Sequence, residues 1–217
     1  MWKGFLVGLV LANGFEWVAH KYLLHGVHRS GKPRYSPLPD SMRSHWEHHR
    51  EVRKAAFHDH GYVEGLANWR TQNEVVSLVV VAGVLGTLFY PLSKGMALAT
   101  VYSACNYYYI HRRAHLEPEW AMKKIPWHYD HHMNSNQDAN WCVTKPWFDY
   151  LLGTRVISSP ELQEKNPLGI LLPGRLSKVL TGITARYFPA TGVEKPERSS
   201  FSQQGGDLTV QEQIART

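Results

Sequence analysis

Cysteine is nearly absent from this chain: only Cys105 and Cys142 occur in 217 residues. Two cysteines cannot form a disulfide framework, and neither lies in a CxxC motif, so a disulfide-stabilised fold and a cysteine-based zinc site are both disfavoured. A GxSxG motif is also missing, which argues against a hydrolase with a serine nucleophile. We therefore expect a reducing environment and chemistry carried by other side chains.

Acidic residues are in the minority, and the 24 Lys and Arg against 18 Asp and Glu give a net charge of +6. The basic residues flank apolar runs and form no continuous stripe, so we expect a membrane surface and no nucleic acid as the partner. The mean hydropathy of -0.35 excludes a chain that is buried in lipid throughout.

A cleavage site for a signal peptide is lacking as well. The N-terminal apolar run is followed by Glu16, His20 and Lys21, where a signal peptide would have small residues. We expect this run to be a retained helix.

Three apolar segments punctuate the chain: Phe5–Leu24, Val75–Tyr90 and Gly95–Ile110. The first is long enough to cross a bilayer, and each of the others would span about 24 Å as a helix, slightly less than the ~30 Å hydrocarbon core. The second and third could form a helical hairpin in a soluble core. Because neither has a charged face, we favour a membrane hairpin.

The distribution of charge predicts the orientation. If all three segments cross, Lys21–Glu74 and His111–Thr217 share one side of the membrane and carry most of the lysine and arginine residues. The positive-inside rule places that side in the cytoplasm. The prediction is an all-α, small integral membrane protein that crosses several times, with a cytosol-facing, histidine-rich helical cap.

The chain divides into three regions. Residues 1–157 form the membrane-embedded domain that carries the histidine clusters. Residues 158–193 form an amphipathic segment, in which Leu176, Val179 and Ile183 share one helix face and could lie on the membrane or pack on the domain. Residues 194–217 are polar and predicted to be disordered.

Histidine is abundant, with thirteen residues, and ten of them fall into four clusters. The clusters are His20/His25, His45/His48/His49, His111/His115 and His128/His131/His132. Residues three and four apart share one face of a helix, so each HxxHH triplet directs its rings to one point. A lone HxxH is more often a solvated helix face, but two triplets and two pairs predict a metal site.

The first pair does not fit a regular helix. His20 and His25 are five residues apart, roughly 140° around a straight helix, so they cannot share a face. Either the last turn unwinds before Gly26 and brings His25 inward, or the two residues serve different metals. Both alternatives stay open from the sequence.

Several residues are candidates for a supporting role around the ligands. Glu16 lies one turn before His20 and could orient its imidazole, or it could be an ordinary polar residue. Asp130 and Tyr108 are further candidates for hydrogen bonds to ligands. The histidines outside the repeated spacings are predicted to be ordinary loop or outer residues; they are His28, His58 and His60.

Ten histidines shared by two ions give five each, which leaves about one open position if each ion is six-coordinate. Zinc usually takes four ligands, and catalytic zinc takes three from the protein. The set is therefore more typical of an O2-handling iron pair. At a membrane surface, such a pair would oxidise an apolar substrate, and we predict hydroxylation of a lipid C–H bond.

The order and spacing of the four clusters resemble the fatty acid hydroxylase/sterol desaturase superfamily, most closely its fatty acid 2-hydroxylase branch. The segment His128–Thr154 is similar to the part of that branch that follows its last histidine box, and the resemblance covers about residues 15–155. It implies a membrane-embedded di-metal hydroxylase domain with the ten clustered histidines as ligands of two iron ions. Zinc can replace iron in crystallised relatives.

Two departures qualify this resemblance. Tyr108 stands where relatives of the branch often have Asp, and no His-Pro-Gly-Gly haem motif is present. A separate ferredoxin, cytochrome or reductase is therefore expected to supply electrons.

Two alternative functions fit parts of the sequence. The first histidine pair also resembles the first box of carotenoid ring hydroxylases, although the second triplet follows at a greater distance here and the third pair is HxxxH. The other alternative is a membrane metal-binding or transport protein without catalysis. Transporters place ionisable ligands near the bilayer midplane, whereas these clusters lie at segment ends, which disfavours transport.

Overall fold

The computed structural model describes residues 1–26 and 40–192, except for the side chains of residues 40 and 41. Within these residues there are nine α-helices and no strand, apart from one isolated bridge between Val156 and Thr191. The helices are α1 (Trp2–Val18), α2 (Asp40–Lys54), α3 (Gly61–Glu64), α4 (Trp69–Phe89), α5 (Lys94–Leu116), α6 (Pro118–Lys124), α7 (Pro126–Met133), α8 (Trp147–Leu151) and α9 (Gly174–Tyr187). The predicted all-α fold is confirmed for this part of the chain. His28 and the predicted tail 194–217 lie outside the described residues.

The long helices α1 and α4 both pack against α5. Small residues permit the close approach of α1 and α5: a Cβ on Gly8 would lie 2.6 Å from the Ala99 Cβ, and one on Gly95 would lie 2.2 Å from the Met1 carbonyl oxygen. Glycines at helix contacts are typical of helices that associate in lipid, where hydrophobic burial contributes little.

One of the described helices, α4, is long and apolar enough to cross a membrane. Its apolar stretch has no buried residue, and Val79, Val84 and Leu88 are more than half exposed. The helical hairpin predicted from Val75–Tyr90 and Gly95–Ile110 is present as α4 and α5. Of the other two long helices, α1 has 17 residues and α5 ends in a polar segment.

The predicted polar cap is built by α2, α6 and α7 at the C-terminal end of α5. Val52, Phe57, Ala114, Ile125 and Trp127 belong to one buried apolar cluster in this region. Pro126 starts α7, where its missing N–H and fixed φ favour the first helical position. The cluster fixes the C-terminal end of α5 against α7, so the histidines on these two helices face each other.

The first helix does not continue as an α-helix to Leu24. A π-helical turn, Ala19–Leu24, follows α1, and the His25 N–H donates to the His20 carbonyl at 2.9 Å. Because a π-helix bonds residues five apart, its wider turn brings positions i and i+5 onto one face. One of the two alternatives for His25 was an unwound last turn near Gly26. The structure has a widened π-helical turn in its place.

The predicted amphipathic helix is present as α9, and none of its residues is buried. The Ser177 hydroxyl donates to the Lys165 carbonyl at 2.8 Å, so α9 contacts the rest of the chain through a polar side chain. Its apolar row remains outside: Val179 and Ile183 are about half exposed.

Candidate metal centre

The ten clustered histidines meet in the interior of the polar cap. All ten are buried, and the most exposed, His45, has 8% of its surface accessible. Four separate elements supply them: the π-helical turn with His25, α2, the C-terminal end of α5, and α7. The tertiary structure thus joins clusters that are far apart in sequence.

The ligand nitrogens of nine histidines form two groups, each with all its nitrogens within 4.8 Å of one another. The five-histidine group consists of His20, His25, His45, His49 and His131, and the four-histidine group consists of His48, His111, His115 and His132. His128 belongs to neither by this measure, but its Nε2 lies 3.2 Å from the His115 Nε2. Each group could hold one metal ion, so the predicted pair of sites has a structural counterpart, divided five and four with His128 beside the four.

The nitrogen separations fit ligands that surround one ion. In the five-histidine group, the Nε2 atoms of His20 and His45 are 3.1 Å apart, and those of His25 and His131 are 3.2 Å apart. Metal–nitrogen bonds of about 2.1 Å place neighbouring ligand nitrogens about 3.0–3.4 Å apart. The rings therefore already stand at coordination distance.

Several ring nitrogens have no hydrogen-bond partner within the described residues although they are buried. They are His25 Nδ1, His48 Nε2, His49 Nδ1, His111 Nε2, His128 Nδ1, and both nitrogens of His132. Buried polar atoms normally have partners, and metal binding is one explanation of an exception. The unpartnered Nε2 atoms of His48 and His111 thus have the donor chemistry that a metal ion requires.

Burial also favours the neutral form of several of the clustered histidines. It lowers the pKa of His49 and His132 well below the usual value, and the charges of neighbouring histidines lower each pKa further. Burial lowers the pKa of His131 to about 4. Neutral imidazoles carry a free lone pair at neutral pH, as metal ligation requires.

Two carboxylates hold rings of the four-histidine group. Asp59 accepts from His48 Nδ1 at 2.7 Å, and Glu74 accepts from His111 Nδ1 at 2.5 Å. The Tyr62 hydroxyl donates to Glu74 at 2.7 Å and lies 2.8 Å from His111 Nδ1. With Nδ1 engaged, Nε2 of His48 and of His111 is left for a metal ion.

Burial alone would raise the pKa of Asp59, but the hydrogen bond from His48 and the charge of Arg70 hold it below its usual range. This carboxyl is therefore ionised at neutral pH.

Backbone carbonyls hold three further rings. His115 Nδ1 donates to Phe57, His131 to Ala139 at 2.7 Å, and His20 to Trp141 at 2.5 Å. Phe57 has φ +79°, and Asn140, between Ala139 and Trp141, has φ +59°. Left-handed φ is costly outside glycine and occurs where surrounding contacts enforce it, often at functional sites.

Glu16 makes no hydrogen bond to the His20 ring, so the first of its two alternatives, direct orientation of that imidazole, does not hold. The Glu16 carboxylate accepts from the backbone N–H of Val143 and from that of Thr144, the latter at 2.8 Å, while the carbonyl of Trp141 holds the His20 ring. Glu16 therefore anchors the segment that carries Trp141, because the chain between Asn140 and α8 returns to α1.

The other predicted supporting residues also act indirectly. Tyr108 contacts the ring of Tyr62, which reaches His111. Asp130 is fully buried and accepts from Arg155 at 3.0 Å and from the Ser158 hydroxyl, so it fixes α7.

Sequence reasoning missed three residues that hold the histidine rings: Asp59, Tyr62 and Glu74. The one available signal was the position of Glu74, an acidic residue directly before an apolar run.

The solitary histidines of the α2–α3 connection stay on the surface. His58 and His60 are both exposed, their ring centroids lie 6.5 Å apart, and neither belongs to a histidine group. This placement agrees with their prediction as ordinary loop residues.

A mostly aliphatic cavity of about 420 Å³ leads to the histidines. Phe15 of α1, Val81 and Leu85 of α4, and Ala104 of α5 line its apolar part. Four histidines line its polar end: His20, His45, His48 and His111. These four come from both groups, so an apolar molecule in the cavity would approach both.

Comparison with known proteins found no match: no family model, no curated protein and no solved structure is similar to this chain at a significant level.

Proposed function

We propose that the chain is a membrane-bound, O2-dependent di-iron oxidase that hydroxylates a C–H bond of a lipid, either a fatty acyl chain or a related apolar lipid. The observation that carries this proposal is the aliphatic cavity that ends on histidines of both groups. A volume of about 420 Å³ lies within the usual range for small-molecule sites. An apolar chain is the ligand that such a lining favours.

Iron is proposed because of the number of histidines. Five ligands in one group, and four with His128 adjacent in the other, exceed what zinc usually binds. Bound iron would supply the activation of O2 and the oxidation of an unreactive C–H bond. The histidines fit this role because they are buried and their nitrogens stand at coordination distance.

The chain's own residues hold the substrate. Val81 and Leu85 of α4, with Phe15 of α1, would contact the apolar chain and exclude water from it. Exclusion of water protects the reacting carbon from side reactions and raises the strength of every polar interaction at the histidine end.

The reaction needs an external donor. Hydroxylation inserts one oxygen atom of O2 into the C–H bond and reduces the other to water, which consumes two electrons and two protons. We propose a separate ferredoxin, cytochrome or reductase as the electron source, since the sequence has no haem motif of its own.

We further propose that α1, α4 and α5 cross the membrane and that the histidines lie on its cytoplasmic side, with residues 1–157 as the catalytic domain. The exposed apolar surface of α4 and the basic residues of the polar cap support this placement. The outward apolar row of α9, flanked by Arg175, Lys178 and Arg186, suits a helix on the membrane surface.

The test is expression of the wild type and His131→Ala in a lipid-rich host under isotopically labelled oxygen gas, followed by mass spectrometry of the lipids. His58→Ala, which alters an exposed histidine outside both groups, is the matched control. We expect labelled hydroxylated lipids from the wild type and the control, and none from His131→Ala.

Product formation without O2, or in His131→Ala, would overturn the proposal. Labelled hydroxycarotenoids would support the carotenoid hydroxylase, and metal flux into vesicles without any oxidised lipid would indicate a metal carrier.

A further inference from the structure

The two histidine groups differ in the atoms that hold their rings. In the four-histidine group, His48 and His111 donate to the carboxylates of Asp59 and Glu74. In the five-histidine group, the described partners of His20 and His131 are the neutral backbone carbonyls of Trp141 and Ala139.

This difference alters the donor strength of the imidazole. A carboxylate attracts the Nδ1 proton more strongly than a carbonyl does, so the opposite nitrogen, Nε2, becomes a stronger base and a stronger metal ligand. The negative charge also favours a nearby cation directly, and this effect is large here because Asp59 is 3% exposed and the Glu74 side chain is 17% exposed.

Both carboxylates are held in place by other bonds. Asp59 accepts from Arg70 at 2.7 Å and from the Gly61 N–H at 2.8 Å, and Glu74 accepts from Tyr62 at 2.7 Å. Asp59 shares its charge with Arg70, whereas the bond from Tyr62 leaves the charge of Glu74 intact. Glu74 should therefore have the larger electrostatic effect on a bound cation.

The number of histidines does not offset this difference. The five-histidine group has one ligand more, but His128 Nε2, 3.2 Å from His115 Nε2, is adjacent to the four-histidine group and balances the count. The two carboxylates, Asp59 and Glu74, are then what distinguishes the sites.

We propose that Asp59 and Glu74 are positioning residues that make the two metal sites unequal, so that the four-histidine group binds its ion first and retains it longer. This inference rests on the metal pair of the proposed function, but not on the oxidation of a lipid. A single ion per chain at limiting metal would occupy the site with the carboxylates.

The test uses Glu74→Gln in the full-length protein. The single amide oxygen of glutamine can still accept from His111, while its NH2 group can donate to the Tyr62 oxygen, so this change removes the charge and keeps the size and a hydrogen bond to each partner. Removing a partner of this kind typically lowers metal affinity about 10- to 100-fold. Glu51→Gln, an exposed carboxylate of α2 that pairs with Lys54, is the matched control.

Two measurements follow the ions. The first is titration of the metal-free protein with Zn²⁺ against a competing chelator, and the second is the rate at which chelator extracts zinc from the loaded protein. The wild type and Glu51→Gln should bind two ions in two distinguishable steps. In Glu74→Gln the tighter step should weaken about 10- to 100-fold, with the weaker step unchanged.

A second variant shows which binding step belongs to which histidine group. His25→Ala removes one ligand of the five-histidine group and leaves four, so it should weaken the weaker step and leave the tighter step unchanged. Adding Glu74→Gln to His25→Ala should then weaken the tighter step as well. If the metal-free protein does not fold, the rates of zinc extraction from the loaded protein are the test. The ion that the chelator removes slowly from the wild type should be removed quickly from Glu74→Gln.

Glu74→Gln binding that matches the wild type, or an equal loss in both steps, would overturn the inference. Unequal binding that responds to Glu74→Gln without lipid hydroxylation would contradict the proposed function alone. Intact O2-dependent hydroxylation with two equal metal steps would contradict only the inequality of the sites.

Discussion

The histidine interior and the outer surface of α4 are built in opposite ways. The interior buries ten imidazoles, whereas α4 exposes valine and leucine side chains along its length. In water, both would cost free energy, because buried polar groups need partners and apolar surfaces avoid solvent. The contrast supports the proposal that each region is completed by something outside the chain: metal ions at the histidines and lipid around α4.

The largest effect should be the loss of stability when the buried histidines are protonated. The unfolded chain binds protons at histidine near pH 6.5, whereas burial lowers the pKa of His131 in the folded protein to about 4. Between these values the unfolded state binds more protons, so the free energy of unfolding falls as the pH falls. For His131 alone the loss is on the order of 3 kcal/mol, and His25, His45 and His49 act in the same direction.

Thermal unfolding of the metal-free protein at a series of pH values measures this effect. The melting temperature of the metal-free protein should decrease from pH 6.5 to pH 4. In the metal-loaded protein the same decrease should begin at a lower pH, because metal competes with protons for the same nitrogens. A melting temperature that is constant or rises towards pH 4 would show that the rings are not held neutral.

A charged side chain on the outer surface of α4 should have the next largest effect, on membrane insertion. Val84→Arg places a charge on the exposed face of α4, 55% accessible in the wild type, and should oppose membrane insertion by about 2.5–3.5 kcal/mol. The measurement is the fraction of protein that resists extraction from membranes at alkaline pH, with Val84→Leu as the control. Equal retention of both variants would mean that this face does not contact lipid.

The cavity between the two regions gives the third prediction. Ala104→Trp would fill the cavity, whereas Cys105→Trp places the same ring on the exposed side of the same helix. We expect kcat/KM for the lipid to fall about 100-fold in Ala104→Trp, because the substrate loses its binding volume, and to change little in Cys105→Trp. Metal content should be unchanged in both, and equal activities of the two variants would place the substrate elsewhere.

Much of the fold and the candidate ligands could be predicted because the relevant interactions are local. The spacing of His45, His48 and His49 places three rings within about one turn of α2 in any helix, whatever surrounds it. The apolar runs likewise predicted the α4–α5 hairpin. The three crossings and the lipid substrate remain proposals, since hydropathy counts residues and does not show what covers them.

The supporting residues were the part that sequence reasoning missed or misplaced. Glu16 is one turn from His20 along the chain, but its carboxylate reaches Val143 and Thr144, more than 120 residues away. Asp59 and Glu74 contact histidines that are 11 and 37 positions distant, on other elements. Hydrogen bonds of this kind depend on how the helices meet, which no local pattern specifies.

The sequence by itself determined the all-helical character and the identity of the ten clustered imidazoles, because the period of a helix follows from backbone geometry. Only the tertiary structure decided that His25 joins His20, through the widened π-helical turn, and that the rings divide five and four with His128 beside the smaller group. The physical reason is that coordination requires nitrogens about 3 Å apart. Such distances are set by the packing of separate helices against one another.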